Sequence, residues 1–308
     1  MNHQLLIAEF LATPWALMPE RLNAVTAVMA RWSCNVPANM DVLAGIDADR
    51  EVREARRHAA TAVSSGGIAV LPLYGVVTQR GNMVDDVSGP GSVSTQQFAS
   101  ALRQALADDT VSQILIDIDS PGGSVYGVSE LSDEIASARA QKPVVAIANS
   151  LAASAAYWIG CSASEFYVSP GGEVGSIGVW QAHFDHSQAL AAEGVMATLI
   201  SAGKYKVEGN PYAPLDEEAQ AFLQSRVDDY YASFTKAVAR GRGVPIAQVR
   251  DGMGQGRVLG ADAALAQNMV DGVASFDEVV RNMRRNCKAT AKIPASRLAQ
   301  ARNALAIS

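Results

Sequence analysis

Residues 143–160 read PVVAIANSLAASAAYWIG. The first seven, PVVAIAN, form an apolar, β-branched run of strand length, and the small residues that follow lead into YWIG as a short buried helix. One serine, Ser154, falls at the junction among Ala152, Ala153, Ala155 and Ala156. A hydroxyl where a strand hands over to a helix sits beside backbone N–H groups that favour negative charge. The small neighbours would let another backbone approach closely. That placement suits a nucleophile. Taken alone, it suits equally well a tightly packed helix whose serine caps it or is merely buried.

The same strand–turn–helix rhythm runs outward from this segment. GGIAVLPLYGVV (66–77) reads as a buried strand. A Gly/Ser-rich loop, DDVSGPGSVST (85–95), precedes an amphipathic helix carrying Phe98, Leu102 and Leu106. QILIDID (113–119) is a strand, SPGG (120–123) a turn, and a helix follows to about Arg139. Beyond Ser154 come strands EFYVS (165–169) and EVGSIGVW (173–180), helix HSQALAAEG (186–194) and strand VMATLI (195–200). A long helix spans 215–242, with Phe222, Val227, Tyr230, Tyr231 and Phe234 offering apolar surface for either the core, the safer reading, or subunit contacts, and a last α/β unit covers 257–282. Short buried strands alternating with helices predict an α/β fold with parallel pairing.

Composition narrows the class. The 308 residues are 49% hydrophobic and 18% charged, ordinary for a soluble globular chain. A net charge of -6 argues against non-specific nucleic-acid binding. Cys34, Cys161 and Cys287 are widely spaced and fit no metal-ligand pattern, so they read as free thiols of a reducing compartment. LLIAEFLATPWALM (5–18) is apolar, but Glu9 and Pro14 interrupt it and it is too short to span a bilayer. It is read as an amphipathic helix, part of a helical extension over 1–64, and the expected location is cytoplasmic. No acidic side chain follows Glu278, so 283–308 reads as a basic, flexible tail. No metal, nucleotide or other cofactor site is expected; GPGS (89–92) lacks the Gly-Lys-Ser/Thr ending of a phosphate cradle.

Two further features bear on chemistry. In Asp119-Ser120-Pro121-Gly122-Gly123, paired glycines leaving a strand permit a backbone that points N–H groups outward, as an oxyanion hole requires. Such a turn is by itself most often only a turn. In AGKYKVEGNPYAP (202–214), Lys204 and Lys206 follow an apolar run in a chain with only six lysines. A lysine drawn into the interior loses its proton more readily and can act as a base; two solvated surface lysines are the plainer reading.

In that order, SPGG, AAS, GSIG and the lysine loop resemble the signal peptide peptidase A family of serine peptidases over about residues 66–282. The resemblance implies a ClpP/crotonase-like fold of repeated β-β-α units, with 65–282 as the peptidase domain. It implies a Ser-Lys dyad in which Ser154 is the nucleophile. Lys206, with Pro211 downstream, fits the base better than Lys204, and Ser176 of GSIG would orient its amine. The implied oxyanion donors are the N–H groups of Gly123 and Ala155. Where many family members carry a glycine pair after the nucleophile, this chain has Ala155-Ala156, which puts substrate fit in doubt. A histidine base, as in the ClpP branch, would draw on His183 or His186.

The opening EFLATPWALMPERLNAVTAVMARW (9–32) resembles the phage branch of the family. That implies a head maturation protease acting on scaffold, capsid or portal proteins in the host cytoplasm or procapsid interior. It also implies a ring-like homo-oligomer without stable membrane insertion. The alternatives are a bacterial cytoplasmic enzyme degrading peptides, and an inactive capsid-associated structural protein.

Overall fold

A computed structural model describes residues 13–18, 67–80 and 92–291. Its main sheet contains β2 (Ile68–Tyr74), β5 (Gln113–Ser120), β7 (Val144–Ala153), β8 (Glu165–Val168), β9 (Glu173–Gly175), β10 (Val258–Gly260) and β11 (Gly272–Val273). All the pairings are parallel except β10 with β9. A second sheet runs β1 (Trp15–Leu17), β6 (Gly122–Ser124), β3 (Val76–Thr78), β4 (Ser92–Ser94). This is the expected α/β architecture. The run 66–77 is cut in two at Gly75, whose φ of 81° turns the chain from one sheet into the other.

Alternation along β5 explains why its sequence is apolar almost throughout. Ile114, Ile116 and Ile118 enter the main apolar cluster; Leu115 enters a second one on the opposite face. The main cluster is closed by α1 (Thr95–Ala107), α2 (Val128–Ala138), α3 (Ala155–Gly160) and the far end of α5 (Glu217–Arg242). The second is closed by Val279 and Met283 of α8 (Phe276–Ala291). Three shorter helices complete the described chain: α4 (Ser187–Ala192), α6 (Ile246–Asp251) and α7 (Ala261–Ala266).

Several expectations are corrected. Thr13–Met18 is extended and contains β1, not helix; Pro14 removes an N–H and restricts Thr13 to extended backbone. The rest of the expected helical extension lies outside the described residues. VMATLI forms no strand: it pairs with no neighbour among the described residues, and Met196 and Ile200 stand 90% and 96% exposed. EVGSIGVW is strand only to Gly175, because Ser176 adopts a φ of 54°. Phe222 is exposed, whereas Phe234 is buried and stacks on Trp158 with centroids 4.7 Å apart. The basic segment from 283 continues α8 to Ala291 instead of beginning as a loose tail, and Met283 is buried; its remainder lies outside the described residues.

The C-terminal end of α5 is locked to the sheet by Arg242, whose guanidinium grips Asp271 through two bonds of 2.8 Å and the Asn268 carbonyl at 2.8 Å. Burial pushes the Asp271 carboxyl up, but the Arg242 and Phe166 N–H donors outweigh it and hold it below the usual carboxylate range. A depressed carboxylate contributes stability above its unfolded value of about 3.9, and that contribution fades as pH falls through the lower folded value. Asp271→Asn should therefore cost about 2 kcal/mol at pH 7, discounted because the carboxylate is 39% exposed. Thermal unfolding against pH checks this, the gap between the two proteins narrowing below about pH 4.

Candidate active site

The second half of β7 pairs Ala153 with Gly175 of β9 and delivers the chain to Ser154. Ser154 has φ 56° and ψ -117°, a conformation that costs a non-glycine residue about 1–3 kcal/mol. Its N–H donates to the Gly175 carbonyl at 2.7 Å, and its own carbonyl accepts from Trp158 N–H at 2.9 Å. Every residue of α3 is buried, so the helix cannot relax to relieve the strain. The hydroxyl does not cap the helix that it precedes. It is directed to the Gly178 carbonyl across a long 3.5 Å contact. The capping interpretation therefore fails, and a strained serine at a strand–helix junction is left.

The glycine turn meets this serine directly. Ser120 Oγ donates to the Gly75 carbonyl at 2.6 Å and accepts from Gly122 N–H at 3.2 Å, which fixes the turn. A Cβ on Gly122, whose φ is 94°, would fall 2.9 Å from Ser154 Cβ and 2.9 Å from the Ala153 carbonyl oxygen. A Cβ on Gly123 would lie 2.0 Å from the Val77 carbonyl oxygen. Only glycine fits either position. Ala155 opens α3, and first-turn N–H groups have no acceptor within their own helix.

Ser176 follows Gly175, the residue that accepts from Ser154 N–H, so the two serines are neighbours through one backbone. Its N–H donates to the Arg257 carbonyl at 2.8 Å, and its side chain is buried. Ser154, Ser176, Gly122, Gly123 and Ala155 are thus brought together. Lys206 is not. It lies exposed after the unpaired 195–200 run, and its ammonium has no hydrogen-bond or ion-pair partner among the described residues. Lys204 is bound instead to Glu218 and Tyr205 Oη, each at 2.8 Å. These bonds raise its pKa, the wrong direction for a base. His183 Nε2 is engaged with the Asn210 carbonyl at 3.1 Å.

Sequence reasoning missed Trp180, whose indole N–H donates to the Leu17 carbonyl at 2.9 Å beside this site. Its signal in the sequence is faint: Pro14, which disfavours helix around Trp15 and favours extension there. Cys161 closes α3 fully buried, its thiol pushed up to about 12 by burial, so it is chemically quiet. Among the described residues no group of three or more His, Cys, Asp or Glu side chains could hold a metal ion. No described helix is long and apolar enough to cross a membrane.

Residues 136–290 match the family model described as peptidase family S49, a span that includes Ser154, Ser176 and Lys206. The chain is 35% identical over 218 residues to capsid assembly protease C of Escherichia phage lambda, covering 71% of this chain and 49% of that protein. It is 37% identical over 180 residues to head-tail preconnector protein GP5 of Enterobacteria phage P21, covering 58% and 36%. Protease 4 of Salmonella typhi is 32% identical over 206 residues, covering 67% and 33%. The chain thus spans half or less of the length of these relatives. The family match takes in half of the chain, and the serine at the strained junction falls inside it: this chain belongs to peptidase family S49.

Proposed function

We propose that the chain is a serine endopeptidase working through a Ser154–Lys206 dyad, in phage or prophage head maturation, on scaffold, capsid or portal proteins. The observation that carries the reading is the strained Ser154 pressed against the Gly122–Gly123 turn. Similarity to the two phage proteins supplies the setting. Residues 65–282 are taken as the peptidase unit, with 1–64 and 283–308 as appendages.

The chemistry follows from the placement. A neutral Lys206 amine accepts the Ser154 proton as Oγ attacks a peptide carbonyl, and Ser176 Oγ holds that amine in line. The Gly123 and Ala155 N–H groups bind the tetrahedral oxyanion, and the lysine returns the proton to the leaving amine. Water then repeats the sequence on the acyl-enzyme. Because Lys206 follows an apolar run that stands open to solvent, the dyad is completed when copies of the chain assemble and bury that run. Activity per chain should therefore rise with protein concentration.

Lys206→Ala should lower peptide hydrolysis by at least about 10³-fold, while His183→Ala changes it less than tenfold. Full activity in the lysine variant would sink the dyad. Co-expression with candidate scaffold and capsid proteins, followed by mass spectrometry, tests the setting: cleavage that is absent with Ser154→Ala supports it, and intact candidates overturn it.

A further inference from the structure

Thr13–Met18 lies extended beside Ser154 and is hydrogen-bonded along both edges. On one edge, β1 runs antiparallel to β6, with Trp15 opposite Ser124, Ala16 opposite Gly123 and Leu17 opposite Gly122. Val125 N–H donates to the Pro14 carbonyl at 3.3 Å, and Met18 N–H donates to the Pro121 carbonyl at 3.1 Å. Hydrogen-bonded pairs alternate in an antiparallel ladder, so the pair between these two, Ala16 with Gly123, exchanges bonds as well. The Ala16 carbonyl thereby faces Gly123 N–H. On the other edge, Trp15 and Trp180 exchange N–H···O bonds of 2.8 and 3.0 Å, and the Trp180 indole holds the Leu17 carbonyl. The same point that lies 2.9 Å from Ser154 Cβ, a Cβ on Gly122, lies 2.3 Å from the Ala16 carbonyl oxygen.

We infer that Thr13–Met18 is a tethered pseudosubstrate, held in the groove that an external peptide must enter, with Ala16 at the position whose carbonyl is attacked. The inference rests on Ser154 and Gly123 being catalytic as proposed above. Peptide recognition by strand addition uses this two-edged pattern of main-chain bonds. The segment is also buried from Thr13 to Leu17, and Ala16 belongs to the main apolar cluster with no surface left to solvent. A larger side chain has no room there. The substrate class that displaces the strap is accordingly an extended segment with a small residue at the attacked position. Because the strap and the groove belong to one chain, its return to the groove is an intramolecular event that a free peptide must outcompete. Weaker peptides are excluded by simple competition, so the resting chain is restrained.

The test uses the full chain and a fluorophosphonate probe that labels an activated serine. Ala16→Glu places a carboxylate in the buried position and should release the strap, so Ser154 labels at least fivefold faster than in the unaltered chain, with Ser154→Ala unlabelled. Labelling at the unaltered rate or slower, in a variant that still unfolds cooperatively, overturns the inference. Hydrogen exchange on Ser154→Ala supplies a readout independent of catalysis. The Trp15, Met18 and Val125 amides should be protected, and millimolar Thr-Pro-Trp-Ala-Leu-Met peptide should speed exchange in 13–18 while leaving β5 unchanged. Unaltered exchange in 13–18 overturns the strap. A serine that labels in no variant would instead sink Ser154 as nucleophile, with the exchange result deciding the strap by itself.

Discussion

Ser154→Ala should abolish peptide hydrolysis, by about 10⁴-fold or more, while leaving the chain folded and within about 1 kcal/mol of its original stability. The asymmetry follows from what the hydroxyl does at rest. It makes one contact of 3.5 Å to the Gly178 carbonyl and does not cap its helix, so its removal leaves no buried partner in need. The Cβ that packs against Gly122 is retained, and so is the strained φ of 56°. Ser154→Gly should go further and unfold at a higher temperature, because glycine adopts that φ without cost, while being equally inactive. Turnover of a fluorogenic peptide and thermal unfolding of the three proteins check both halves. A Ser154→Gly protein less stable than Ser154→Ala would show that the backbone at this junction is not strained.

Gly123→Ala should damage both fold and catalysis, and the two losses can be separated. The added methyl would stand 2.0 Å from the Val77 carbonyl oxygen and 2.5 Å from its nitrogen. Both are backbone atoms of β3, which cannot swing aside as a flexible side chain would. Overpacking into backbone costs about 3 kcal/mol, or roughly 6–12 °C of unfolding temperature in a domain of this size. At temperatures where the variant is still folded, the turn must shift away from Ser154. Displacing the oxyanion donor proposed at Gly123 should lower turnover by about 10²–10³-fold with little change in KM. A variant that unfolds early yet turns over normally when cold would show that Gly123 shapes β6 without serving the oxyanion.

Much of this was legible from residue order alone. Ser154 between PVVAIAN and YWIG, the glycine turn before it and GSIG after it are local signals: each is written in small residues that must pack where a backbone bends. The structure puts them side by side because neighbouring parallel strands, β5, β7 and β9, end at the same edge. What stayed hidden depends on partners distant in sequence. VMATLI has strand composition, but a strand exists only where a neighbour offers its ladder, and none of the described residues does. Trp15–Leu17 is the converse, a segment with apolar helical character drawn into extension by β6, more than a hundred residues onward. Lys206 is exposed, as the plainer reading of its loop has it, and its composition did not say what would bring it to Ser154. Burial of a loop is set by what docks on it, not by its own composition.

Helix α5 gives the last point its scale. Its C-terminal third is bolted to α3, the helix that Ser154 precedes. A Cβ on Gly241 would lie 2.0 Å from the Cys161 carbonyl oxygen, and Phe234 lies flat on Trp158. Its other end leaves the body, with most residues before Phe234 exposed, and carries Glu218, which holds Lys204 two residues from Lys206. At 1.5 Å per residue, its 26 residues make a rod about 39 Å long. The rod is a ruler: it fixes the reach at which the lysine loop is presented, and each residue added or removed turns that loop by about 100° around the axis. For the proposed Ser154–Lys206 pair, the spacing of base and nucleophile would then be written into the residue count of a helix that supplies neither.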